Sequence, residues 1–178
     1  MRFLVLAAAL AFAPLAHAQT AAPPTAEQLS AAHDTANVML VETGAMQVAF
    51  DQALSILTPQ LHQQIGGSPF YQGLTPQHQT AVMAFIDADV ARIFNEETTT
   101  ALPGMIDSAA VRLATVFSEQ DLRDITAFMR RPAVRTQYLH GVTAGVYQAA
   151  GRTPPPAPPM TPEDQAVYSA FEQTPAGQ

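Results

Sequence analysis

The sequence predicts an all-α fold: a compact bundle of about five to six helices, followed by a proline-rich spacer and a short C-terminal helix. Three observations lead there. Apolar side chains recur at intervals of three and four through most of the chain. Thr25, Thr75, Ser118 and Thr161 each stand just ahead of such a run, where a hydroxyl can accept from a backbone N–H that has no helical partner. Gly66-Gly67, Pro103-Gly104 and Pro132 fall where runs are expected to end.

Residues 1–18 read as a secretory signal peptide. Arg2 is a minimal basic start, Phe3 to Ala13 supply the apolar stretch, and Ala16-His17-Ala18 is a small-x-small site. Cleavage is therefore expected between Ala18 and Gln19, and the periplasm is the expected location. A bilayer-spanning helix needs about 20 apolar residues; this run is shorter and Pro14 interrupts it. Residues 19–24 form a short lead-in, and a helical domain is expected over 25–151.

Thr25 and Gln28 have the spacing of a capping box. Leu29, Ala32, His33, Ala36 and Leu40 then follow one face, and Gly44 is placed to break the helix. Met46, Phe50, Leu54, Leu57, Leu61 and Ile65 continue at helical spacing as the clearest amphipathic stripe in the chain, up to a C-cap signal at Gly66-Gly67. A loop over 68–73 presents Phe70 and Tyr71. Thr75 and Pro76 open the next helix, whose inner face is Val82, Phe85, Ile86, Val90, Ile93 and Phe94. Pro103-Gly104 is expected to break it, and a separate helix to run over 105–116.

The stretch 117–135 is the most fully specified. Ser118 and Asp121 have capping-box spacing, with an acid in place of the usual Glu or Gln. Glu119, Asp121 and Asp124 load the first turns with negative charge while Arg130 and Arg131 load the last, matching the helix dipole. Glu119 and Arg123 form an i, i+4 pair. Leu122, Ile125, Phe128 and Met129 share the face expected to be buried. Pro132 disfavours helix at the residue before it and suits the first position of the next helix, which is expected to reach Ala149 on a stripe of Val134, Tyr138, Val142 and Val146. The product is a helical hairpin with a proline at its corner.

The residues Phe117, Ser118, Glu119, Asp121, Leu122, Ile125, Phe128, Pro132 and Ala133 resemble the motif of the domain of unknown function 2059 family, small secreted bacterial helical proteins. The match is best over 105–150. It departs at Met129, where the family usually has an aromatic, and at Val134, where it usually has Gly. The resemblance implies a helical fold and export, and it brings no catalytic residue to carry over.

Residues 152–160 are dominated by proline and read as a polyproline-type spacer. Beyond it, 161–178 looks like the central hairpin stopped at its corner. At a step of 43, Leu74, Phe117 and Met160 coincide, as do Thr75, Ser118 and Thr161, and Phe85, Phe128 and Phe171. Pro132-Ala133 matches Pro175-Ala176, and Gly177 supplies the glycine that the central copy lacks. Such a match can arise because any capped helix looks alike, and no solenoid is read from it. Val167, Tyr168 and Phe171 give the last helix an apolar face that a lone helix of its length cannot stabilise in water. It is expected to pack back on its own domain, with docking into a partner's groove as the alternative.

The chain carries 15 acidic and 8 basic residues, and all of the latter are Arg. That balance, without a basic patch, argues against nucleic acid and against anionic membrane surfaces as partners. With no Cys there is neither disulfide nor thiol nucleophile. No Gly-x-Ser-x-Gly elbow or phosphate loop occurs, so no catalytic residue, cofactor or metal ligand is assigned. His33, His62, His78 and His140 lack the spacing of a helical metal site. Gly141 and Gly145 allow a close helix approach, and Asp87 and Asp89 point to different sides of a helix. The expected function is that of an exported, non-enzymatic helical interaction module. The alternative is a small-ligand or metal binder, or an enzyme, with its site assembled across helices.

Overall fold

The architecture is set by one helix much longer than the sequence predicts. The computed structural model describes residues 23–178, so the expected signal peptide and its cleavage point lie outside the described residues. Among the described residues there are no strands and seven α-helices: α1 (Ala26–Asn37), α2 (Ala45–Gly66), α3 (Pro69–Gln72), α4 (Pro76–Val116), α5 (Glu119–Met129), α6 (Pro132–Ala149) and α7 (Pro162–Glu172). A π turn over Val38–Glu42 continues α1 towards α2, and a 3₁₀ turn over Pro175–Gly177 follows α7. The fold is all-α, as expected. One of its seven helices, α3, is a single turn where a loop was predicted.

The expected break at Pro103-Gly104 does not occur. α4 runs unbroken for 41 residues with Pro103 inside it. An interior proline removes one hydrogen bond and crowds the carbonyl four residues back, a cost of about 3 kcal/mol or more. Packing outweighs it. Beyond Gly104, α4 buries Ala110, Leu113 and Ala114 against Ala32 and Ala36 of α1 and Leu122 of α5. Ending the helix at Pro103 would expose carbonyls in its last turn next to this cluster. Gly44, by contrast, acts as expected: with φ +81° it ends the π turn in the left-handed region, where only glycine is at ease.

Caps form largely as the sequence indicates. Ser118 and Asp121 make both bonds of the capping box, and Thr161 and Asp164 repeat it at the start of α7. Thr25 caps α1 by accepting from the Gln28 N–H. The other half of that expected box is absent. The Gln28 side chain instead donates at 2.7 Å to the carbonyls of Ala114 and Phe117, capping the C-terminus of α4.

The tail folds back onto its own domain. Phe171 and Ala176 are buried in a second cluster with Val38, Ile125, Met129 and Val134. The central and terminal copies of the repeat meet at equivalent residues: the rings of Phe128 and Phe171 stack with centroids 3.9 Å apart and planes within 5°. Their corners also match. The Arg131 N–H donates to the Phe128 carbonyl at 3.1 Å, and the Thr174 N–H donates to the Phe171 carbonyl at 2.9 Å. Gly177 then closes so tightly that a Cβ there would lie 2.0 Å from the Phe171 carbonyl oxygen. The copy at Phe85 behaves differently, because α4 continues past the position where the other two turn. Gln137 holds the spacer by donating to the Pro158 carbonyl at 2.9 Å.

Polar contacts, buried at Thr35 and exposed at Arg130, join α1, α5 and α6. The Thr35 hydroxyl lies 2.8 Å from that of Thr126 and 3.1 Å from the Leu122 carbonyl. Arg130 reaches Asp34 at 3.2 Å and Glu42 at 3.1 Å, and Arg135 donates to the Thr43 carbonyl at 2.8 Å. Arg130, placed to complement the α5 dipole, thus also clasps the turn between α1 and α2, together with Arg135 of α6. Hydrogen bonding to Arg130 is the main cause that holds the Glu42 carboxyl below the usual carboxylate range.

Candidate functional site

Two features remain: an arm with a half-covered apolar face, and a pocket where the core meets the base of that arm. The arm comprises α2, α3 and the first half of α4. Between Met46 and Ala109 only Ile56 is fully buried. The Met46-to-Ile65 stripe is the best amphipathic pattern in the sequence, yet its members are half-buried or, at Leu57, 37% exposed. The inner face expected for α4 divides. Phe94 turns towards α2 and meets Phe50 edge-on at 5.3 Å, while Phe85 is 68% exposed and Ile93 44%. At the tip Tyr71 folds back, donating its hydroxyl to the Gln79 carbonyl at 3.3 Å, and Phe70 stays 76% exposed. α2 packs mainly along α6 and more loosely on the first half of α4.

The histidines are distributed along the structure. His33 meets Asp107 at 2.8 Å between α1 and α4, and His62 meets Asp87 at 2.6 Å between α2 and α4. His78 sits beside its cap, 3.2 Å from the Thr75 hydroxyl, and His140 is half-buried on α6. Asp89 pairs with Arg92 on its own helix. Among the described residues no three of His, Asp and Glu converge as metal ligands. The two His–Asp bridges were not visible in sequence, since each joins residues from different helices.

The pocket has a volume of about 420 Å³ and lies where the π turn, the second half of α4 and Tyr138 of α6 meet. Met39 and Leu40 come from the π turn, Gly104, Met105 and Leu113 from α4, and Tyr138 from α6. Burial pushes the Tyr138 phenol up to about 12, so it is a neutral hydrogen-bond donor at physiological pH. Among the described residues, Arg112 is the one charged residue in the wall. Sequence reasoning assigned Tyr138 to a buried stripe and gave Arg112 no role. The only local signals were Pro103-Gly104 and the apolar run at 38–41, and neither indicates that a π turn will form.

The family-motif residues are structural. Leu122 and Ile125 are buried, Phe117 touches both core clusters, Ser118 and Asp121 cap α5, and Glu119 pairs with Arg123. Pro132 and Ala133 open α6. Val167, Tyr168 and Phe171, the face offered for a partner, are engaged within the chain. Phe171 is buried, Tyr168 meets Phe128 edge-on at 5.2 Å, and Val167 packs on the same cluster. Among the described residues the most exposed aromatic rings, Phe70 and Phe85, are on the arm, while α5 covers the apolar face of the tail.

The fold and these features define an all-α helical bundle with an apolar arm and a basal pocket. No protein-family model, no curated protein and no solved structure matches the chain. No helix among the described residues is long and apolar enough to cross a membrane.

Proposed function

We propose that the protein is an exported, non-enzymatic helical module of the periplasm that binds a protein partner through its arm. The observation that carries this reading is the exposure of Phe70 and Phe85, at 76% and 68%, on an element whose apolar stripes the other described residues cover only in part. Large aromatics at such positions are the residues that anchor protein interfaces when a partner removes them from water. Export rests on residues 1–18, and the resemblance of the central hairpin to the 2059 family agrees with it.

The test is affinity capture from a periplasmic extract with the intact protein and with a Phe70→Ser, Phe85→Ser double variant. Both residues are exposed, so the variant keeps its fold by circular dichroism. A partner held by the intact protein and lost by the variant supports the reading. Equal capture by both removes the arm as the site. Truncation at Gly151 is a poor probe, because it strips Phe171 and Ala176 from the core.

A further inference from the structure

The pocket on the second half of α4 is a separate feature, and it points to a ligand that the arm does not. Its size lies within the range of about 300–1,000 Å³ typical of small-molecule sites. Local irregularities accompany it. The π turn shifts Met39 and Leu40 out of α-helical register, and such turns often lie at functional sites. Pro103 has no N–H to offer the turn before it. Gly104 contributes no side chain, and a Cβ built there would meet nothing within 4 Å. The open space therefore begins directly at the α4 backbone.

The chemistry of the wall is one-sided. Met39, Leu40, Met105 and Leu113 make it apolar, and among the described residues no Asp or Glu lines it, in a chain where acids outnumber cations by 15 to 8. The Ser108 hydroxyl is turned onto its own helix, donating to the Gly104 carbonyl at 2.7 Å. That leaves the Tyr138 hydroxyl and the Arg112 guanidinium as donors. Arg112 also has an interaction within the protein, and a guanidinium carries five N–H donors and can serve a second acceptor. An apolar cavity with donors, a single cation and no anion complements a molecule with an alkyl body and a negatively charged head.

We propose that this pocket binds an alkyl carboxylate, with its chain against Met39, Leu40, Met105 and Leu113 and its carboxylate on Arg112. The probe is decanoate, titrated calorimetrically into the protein expressed from the full sequence and purified as the cell leaves it. Decanol and decyltrimethylammonium serve as neutral and cationic counterparts. Saturable binding is expected for decanoate, weaker binding for decanol and none for the cation. Gly104→Leu fills the pocket from a backbone position with open space and should abolish binding while α4 gains helix propensity. Should that variant misfold, Ala101→Leu fills the same space from an exposed wall position. Arg112→Gln should weaken decanoate about tenfold or more, which corresponds to about 1.4 kcal/mol, and leave decanol unchanged. The Phe70→Ser, Phe85→Ser variant should bind decanoate like the intact protein, which separates this site from the arm. The proposal is overturned if decanoate fails to saturate, if a well-folded filled variant binds it normally, or if the cationic probe binds as tightly.

Discussion

The arm and the packed half of the molecule are built from sequence of the same kind and end in opposite conditions. α2 has a cleaner apolar stripe than α1, yet α1 buries Ala32, Thr35 and Ala36 while α2 buries only Ala45 and Ile56. The difference lies in what stands opposite. α1 faces the second half of α4 on one side and α5 on the other; α2 faces α6 and, more loosely, the first half of α4. Periodicity marks the side of a helix that favours burial. It carries no information on whether the chain supplies a second surface to bury it against.

The comparison can be broken most sharply at its two exposed and buried phenylalanines. Phe171→Ala should destabilise the protein by about 3–5 kcal/mol, since it empties a core position. Phe85→Ala, the matching position in the repeat, should change stability by less than about 0.5 kcal/mol. Urea denaturation of both variants measures the contrast, and similar losses would mean that the arm is packed as tightly as the rest. Thr35→Val comes next. It keeps the shape but leaves the Thr126 hydroxyl and Leu122 carbonyl short of a partner, a loss of about 1–3 kcal/mol.

Loss of the cap in Thr161→Ala should cost about 1 kcal/mol. Because α7 completes the core, that loss should appear in the global unfolding midpoint and not merely as fraying of the tail. Native-state hydrogen exchange gives the same comparison residue by residue. Amides of α5 and the second half of α4 should open only with global unfolding, and those of α2 and the first half of α4 at lower free energy.

The smallest effect is electrostatic. Because the folded pKa of Glu42 is lowered, its contribution is present above its unfolded value, near about 4.3, and is lost as pH falls through the folded one. The acid limb of a plot of melting temperature against pH should therefore be shallower in Glu42→Gln than in the parent. The group is exposed, so the change is expected to be slight.

Much of the local structure was legible because it depends on neighbours in the chain. Thr25, Thr75, Ser118 and Thr161 all cap helices. Pro132 opens α6, and Gly44 breaks the first helical run. The failures share one cause. Pro103-Gly104 was read by its local cost, and packing beyond it reversed the outcome. Gln28 was assigned to its own cap because nothing in the sequence places the end of α4 beside it. The candidate pocket was hidden for the same reason. Its walls come from three segments, and the π turn that shapes it has no residue signature as specific as a cap or a proline.

By itself the sequence determined the all-α class, most helix boundaries, the proline spacer and the likeness of the central and terminal hairpins. These follow from hydrogen-bond caps, fixed φ angles and apolar periodicity, which act over a few residues. Tertiary structure alone decided that α4 is continuous, that Phe128 and Phe171 stack on one another, and that the exposed apolar face belongs to the arm and not to the tail. Those outcomes depend on which surfaces meet. A burial gain of about 1.5–3 kcal/mol for each large side chain is enough to override a local preference of similar size, and it arises only when the partner surface is in place.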